Sequence, residues 1–248
     1  MYRGFGVPRL ALIEDLTAQP VPAGLNIYVE FDPASQWYNA SFTITAGWIR
    51  SGGVGSYNVY NHTPGDARSK LKRLGLDVET LEREEKLRII DWYTFQLGQK
   101  SKEKYAFESL KVADQSIITR KMLTDTGSLF PGTGYRLGPD VLRIDDDDLV
   151  MLRFNDEKSF IDYWRLREIP VAAETQSSSI YSLPKGVYSE SLYKNLETSA
   201  DGIIDFKIDE EGGEVRSLMR IRSMQSVSFD SRWHRLKIGD NFEVTLEK

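Results

Sequence analysis

The feature that most constrains this chain is an alternation of short apolar runs with helix-period segments through its first 175 residues. Such alternation marks βαβ units, whose parallel strands need helical crossovers and are covered on both faces. Leu25 to Glu30 reads as a first strand, followed by a helix to about Arg50, and Tyr57 to Tyr60 as a short second strand. The clearest helix starts at Thr63. Thr63 can cap it, Pro64 suits its first position and Asp66 its first turn, with Ala67, Leu71 and Leu74 on one face and Gly75 as the stop. Leu87 to Trp92 reads as a third strand, Val112 to Leu123 as a helix and Ser128 to Gly138 as a loop. Val141 to Ile144 is a fourth strand that runs into the acidic stretch Asp145 to Asp148. A helix is expected from about Asp156 to Glu168, with Phe160, Ile161 and Trp164 inward, then a fifth strand at Pro170 to Glu174 and a polar loop at Gln176 to Gly186. Beyond Asp201 the period drops to two: Ile204, Phe206 and Ile208 alternate, Gly212-Gly213 turns the chain, and Val215, Met219 and Ile221 follow. The last 45 residues or so therefore read as antiparallel strands closing a parallel sheet.

Composition narrows the class. A chain of 248 residues, 40% hydrophobic and 28% charged, can bury a sizeable core, and it is read as one domain, 1–248. No apolar run approaches the roughly 18 residues of a membrane span, and the start does not read as a signal peptide. With no cysteine there are no disulfides, redox thiols or thiolate metal sites, so cytoplasmic residence is expected. A net charge of −5 offers no broad attraction for nucleic acid or anionic lipid.

The junction between the first strand and its helix is where an α/β protein carries a phosphate-binding loop of the form G-x-x-x-x-G-K-[ST]. There, glycines let backbone N–H groups cradle phosphate, a lysine neutralises charge and a hydroxyl ligates Mg²⁺. This chain runs Val29-Glu30-Phe31-Asp32-Pro33-Ala34-Ser35-Gln36-Trp37-Tyr38. Phe31, Gln36, Trp37 and Tyr38 stand at the four key positions, with Ala34 and Ser35 between them. Trp37 or Tyr38 is expected to plug the space a phosphate would need, the alternative being an outward-facing first turn.

The order of several segments resembles the KaiC-like branch of the RecA-type ATPases over essentially the whole chain. They are Gly6-Val7-Pro8, the strand and loop at 25–38, Tyr60 to Arg68 with Thr63-Pro64, Lys86 to Asp91, Ser199 to Ile204, and Arg220 to Met224 followed by Trp233-His234. The resemblance implies a RecA-like three-layer α/β/α domain with a mostly parallel central sheet and antiparallel C-terminal strands. It also marks what is missing. Active members place a Glu pair after the second strand to activate water, where this chain has Asn61 and His62. They supply Lys and Arg fingers to the neighbouring subunit's phosphate, where it has Ser223 and Gln225. Asp145 matches the strand-end acid that holds Mg²⁺ through water, and is the candidate metal residue; the bland alternative for the Asp145 run is a solvated or paired strand end.

The resemblance and these replacements together imply a KaiC-like pseudo-ATPase without ATP hydrolysis, a regulatory or scaffolding subunit that binds itself or a related ATPase. No resident cofactor is expected beyond weakly held ATP, ADP or Mg²⁺. Arg216, Arg220 and Arg222 share one strand face by alternation and are the candidate partner-binding residues, with the Asp145 run as an acidic counterpart; a solvated strand face is the alternative. Two other readings remain open. One is a sensor that binds nucleotide without turnover, and the other a recombinase-like accessory protein on single-stranded DNA, which the acidic balance disfavours.

Overall fold

The computed structural model describes residues 7–106, 137–146 and 156–247 apart from 212; the expected helix at Val112 to Leu123, nearly all of the 128–138 loop, and Asp147 and Asp148 lie outside them. In chain order the elements are β1 (Asn26–Phe31), α1 (Trp37–Arg50), β2 (Val54–Val59), α2 (Pro64–Arg73), α3 (Val78–Arg83), β3 (Leu87–Asp91), α4 (Tyr93–Gln96) and β4 (Val141–Asp145). Then come α5 (Glu157–Tyr163), a π-helical turn (Trp164–Glu168), α6 (Ile169–Thr175), β5 (Ser178–Pro184), α7 (Glu190–Glu197), β6 (Gly202–Glu211), β7 (Glu214–Met224), β8 (His234–Ile238) and β9 (Val244–Leu246).

The nine strands form one sheet in the order β3-β2-β4-β5-β1-β6-β7-β8-β9. The first six in that order are parallel, and β7, β8 and β9 are added antiparallel, as expected. Each parallel strand is covered on both sides, so alternate residues enter two cores. Ile27, Val29, Leu142 and Ile144 face a layer containing α1, α2 and the segment around Leu10 to Leu16. Tyr28, Tyr181 and Leu183 face a layer built on Phe160, Trp164, Leu192 and Leu196. α1 sits so close under the N-terminal segment that a side chain at Gly47 would meet the Ala11 methyl at 2.6 Å.

Local chemistry explains α2 well. Thr63 Oγ1 accepts from the Asp66 N–H at 3.1 Å while Asp66 Oδ2 accepts from the Thr63 N–H at 3.2 Å, a reciprocal cap that contributes on the order of 1 kcal/mol. Ala67, Leu71 and Leu74 are buried, as the spacing predicts.

Two expectations are corrected. Pro170 to Glu174 is helical rather than a strand: it lies in α6, which continues α5 through the π turn that ends at Glu168. The expected polar loop at Gln176 to Gly186 contains the central strand β5 instead. Its serines read as loop residues, yet they are buried with bonded hydroxyls: Ser182 Oγ donates to the Asp145 carbonyl at 3.0 Å and Ser178 Oγ accepts from the Gly24 N–H at 3.1 Å. Among the described residues no helix is long and apolar enough to cross a membrane.

Candidate functional site

Ligands of open α/β sheets bind beyond the carboxyl ends of the strands, and here that mouth is formed by the segment 32–38 after β1, the residues after β2 and the end of β4. The backbone of the segment is turned inward. Asp32 N–H donates to the Phe206 carbonyl at 3.0 Å, Ala34 N–H to Asp32 Oδ1 at 3.1 Å, Ser35 N–H to the Asp32 carbonyl at 2.8 Å and Gln36 N–H to Ser217 Oγ at 2.8 Å. Pro33 has no N–H. Every backbone donor from residue 32 to residue 36 is therefore engaged within the chain, and no residue from 31 to 38 takes a positive φ. An anion cradle needs such donors free and convergent.

Trp37 opens α1 and is 1% exposed. Its ring lies 5.3 Å from Phe206 and 6.4 Å from Phe31, and its indole N–H donates to the Asp146 carbonyl at 3.3 Å. The side chain thus ties the ends of β1, β6 and β4 together, in the place where the loop motif has a lysine. Tyr38 is half-buried against Phe42 at 5.2 Å and His62 at 4.8 Å, with the Lys70 ammonium 4.6 Å from its ring. Ala34 is exposed, and the Gln36 side chain accepts from Asn39 at 2.8 Å.

After β2, Asn61 is exposed, while His62 turns in among aromatic rings and brings Nε2 to 3.1 Å from Asp146 Oδ2 without an aligned hydrogen bond. Burial lowers the His62 imidazole to about 4, with smaller opposed contributions from Asp66 and Lys70. It is neutral at pH 7. Beneath it, the Tyr57 hydroxyl lies 2.7 Å from Ser41 Oγ, and burial pushes the phenol well above its ordinary range. The cluster is closed and polar, with the His62 imidazole and the Asp146 carboxylate side by side but not aligned for a hydrogen bond.

The acid facing this cluster is Asp146, not Asp145. Leu142 and Ile144 point toward α1, so the next residue on that face is Asp146, while Asp145 falls on the other face with Arg143. Asp145 is 0% exposed; its carboxylate lies 3.0 Å from Arg143 and accepts from the Tyr60 hydroxyl at 3.2 Å. Arg143 also reaches Glu168 at 2.9 Å, and Glu168 accepts from Tyr181 at 2.6 Å. Although burial would favour losing its proton, Asp145 and Glu168 hold Arg143 charged well above its ordinary value. Buried in this way, Asp145 is not the surface acidic patch that the sequence suggested. Among the described residues no three acidic or histidine side chains gather as a metal site.

The three arginines of β7 share a face, as alternation requires, but each meets the chain's own carboxylates. Arg216 pairs with Glu214 at 3.2 Å and Arg220 with Asp205 at 2.8 Å, while Arg222 bridges Glu30, Glu197 and Asp205 at 2.6–2.9 Å. Ser223 and Gln225 are exposed at the far end of β7, level with Tyr28 and the start of β1 rather than with the mouth. Sequence reasoning missed Tyr57, Ser41 and Asp146, although period-two alternation along β4 was the available signal for Asp146. It also passed over Lys185 and Lys207, which stand with Arg220 around the half-buried Trp233.

The chain is similar in structure to a KaiC-like protein from the hyperthermophilic archaeon Pyrococcus horikoshii, with a TM-score of 0.66, 16% identity and 99% of each chain covered. No protein-family model matches the sequence, and no curated protein does. At that identity the likeness carries the fold alone, and the fold is KaiC-like, of the RecA type.

Proposed function

We propose that this chain is a non-hydrolysing KaiC-like subunit, with a regulatory or scaffolding role, that binds itself or a related ATPase without needing nucleotide. One observation carries the reading: the donors of the segment 32–36 are all engaged by the chain itself, and Trp37 is buried where the motif has its lysine. An ATPase at this site would need to break those bonds and expel an indole from the core before phosphate could enter.

The other losses point the same way. A general base contributes about 10²–10⁴ in rate and a trans finger about 10³–10⁵. Here the base positions hold Asn61 and a neutral, enclosed His62, and the finger positions hold Ser223 and Gln225. The test is Mg-ATP turnover by the purified chain. We expect none above a buffer blank, and none regained by Trp37→Lys, because base and finger would still be missing; turnover abolished by removal of Mg²⁺ would overturn the reading.

A further inference from the structure

Pairing between β1 and β6 ends at Phe31–Phe206, and that between β7 and β8 covers only Leu218–Arg235 and Met219–His234. The β6–β7 ladder continues for four more pairs, from Ile208–Ser217 to Glu211–Glu214, as a two-stranded ribbon with no strand on either side among the described residues. An isolated hairpin is marginal in water and needs something to pack against. Its tip carries the exposed acids Asp209 and Glu210, with Glu214 shared by Arg216 at 3.2 Å and Arg235 at 3.7 Å, and a Val215 that is 66% exposed.

At the root of the ribbon the charge reverses. Continuing the β7–β8 register by one residue sets Trp233 beside Arg220, on the face also occupied by Lys207. The Lys207 ammonium is 4.6 Å, the Arg220 guanidinium carbon 4.5 Å and the Lys185 ammonium 5.9 Å from the indole centroid. Arg220 is paired with Asp205, but among the described residues neither lysine has a carboxylate within ion-pair distance. The ledge therefore keeps uncompensated positive charge around a half-exposed aromatic ring in a chain whose net charge is −5. Asp209 and Glu210 at the tip, like the two lysines at the ledge, have no ion-pair partner among the described residues.

We infer that the acidic ribbon tip of one copy docks on the Trp233 ledge of a second copy. Four paired residues of extended ribbon reach roughly 13 Å beyond the sheet, away from the ledge at its root, so a tip meets the ledge of a neighbour rather than its own. The contact is head-to-tail and extends to a ring or a filament. Exposed ion pairs alone bind weakly, so Val215 against the indole must add apolar contact, with Trp233 and Arg220 as the anchors. This interface rests on the proposal that the chain assembles without nucleotide, and it names the surfaces that do so.

The test is sedimentation velocity on the full chain without nucleotide. We expect concentration-dependent association that weakens at least tenfold in the ledge variant Lys185→Glu with Lys207→Glu, and likewise in the tip variant Asp209→Lys with Glu210→Lys. Circular dichroism checks that both fold, and the neutral changes Lys207→Gln and Glu210→Gln give the same direction with smaller effect should a reversal not fold. Mixing the two reversed variants should restore association, because each then offers the other a complementary pair. A wild-type chain that associates while both variants match it overturns the docking mode and leaves nucleotide-free assembly standing. Assembly only with Mg-ATP overturns the underlying reading, and a wild-type chain that stays monomeric overturns the docking directly.

Discussion

The mouth over α1 and the ledge beside β7 sit on one sheet, and they handle polar groups in opposite ways. At the mouth every donor from 32 to 36 is engaged, Trp37 is 1% exposed and His62 is held neutral among rings. At the ledge two lysines without carboxylate partners among the described residues surround a half-buried indole, and a ribbon projects past its neighbours. Packing engages the backbone donors of the first region within the chain, whereas the second keeps unbalanced charge at the surface.

The comparison breaks most visibly if the mouth tolerates change. Trp37→Ala removes an indole that spans three strand ends, and a loss of about 3–5 kcal/mol is expected in denaturant unfolding; a loss under about 1 kcal/mol would mean that the plug is loose. Arg143→Leu leaves Asp145 and Glu168 buried without their cation, and a loss of about 3–5 kcal/mol is again expected by the same measurement. A near-neutral result would show that water reaches this face.

Acid sharpens the comparison further. His62 has a folded value of about 4 against an unfolded value near 6.5, so the unfolded chain takes up its proton first. Its contribution is intact above about pH 6.5, falls as pH drops toward 4 and levels off below, by at most about 3 kcal/mol. Unfolding titrations should show a shallower loss across that window in His62→Gln than in wild type. Equal slopes would remove the imidazole from the account. At the ledge the expected stability effect is smallest: Lys207→Gln should change unfolding by no more than about 1 kcal/mol, since a half-buried lysine without an ion pair loses only its contact over the Trp233 ring.

Much of the fold was legible because local signals agreed with the tertiary outcome. Thr63-Pro64 with Asp66 marked α2, and the alternation around Gly213 marked the β6–β7 hairpin. The exchange of strand and helix at 169–184 has a physical reason. A short apolar run such as Pro170 to Ala173 fits either state, and buried serines look like loop residues until their backbone partners are known. At the site, the missing glycines and lysine could be read directly. The engagement of the Gln36 N–H by Ser217, 181 residues away, could not, nor could the Phe206 carbonyl under Asp32. The charge of the Arg216, Arg220 and Arg222 stripe was legible, but its neutralisation by Glu30, Glu197, Asp205 and Glu214 depends on which strands and helices become neighbours.

The central claim is that the mouth is closed to nucleotide, and isothermal titration of the chain with Mg-ATP tests it most directly. The account predicts no saturable heat at ATP concentrations up to about 1 mM, the weak end of ordinary ligand affinity. A saturable isotherm with one ATP per chain, lost when bulk is added at the mouth by Ala34→Trp, would contradict it.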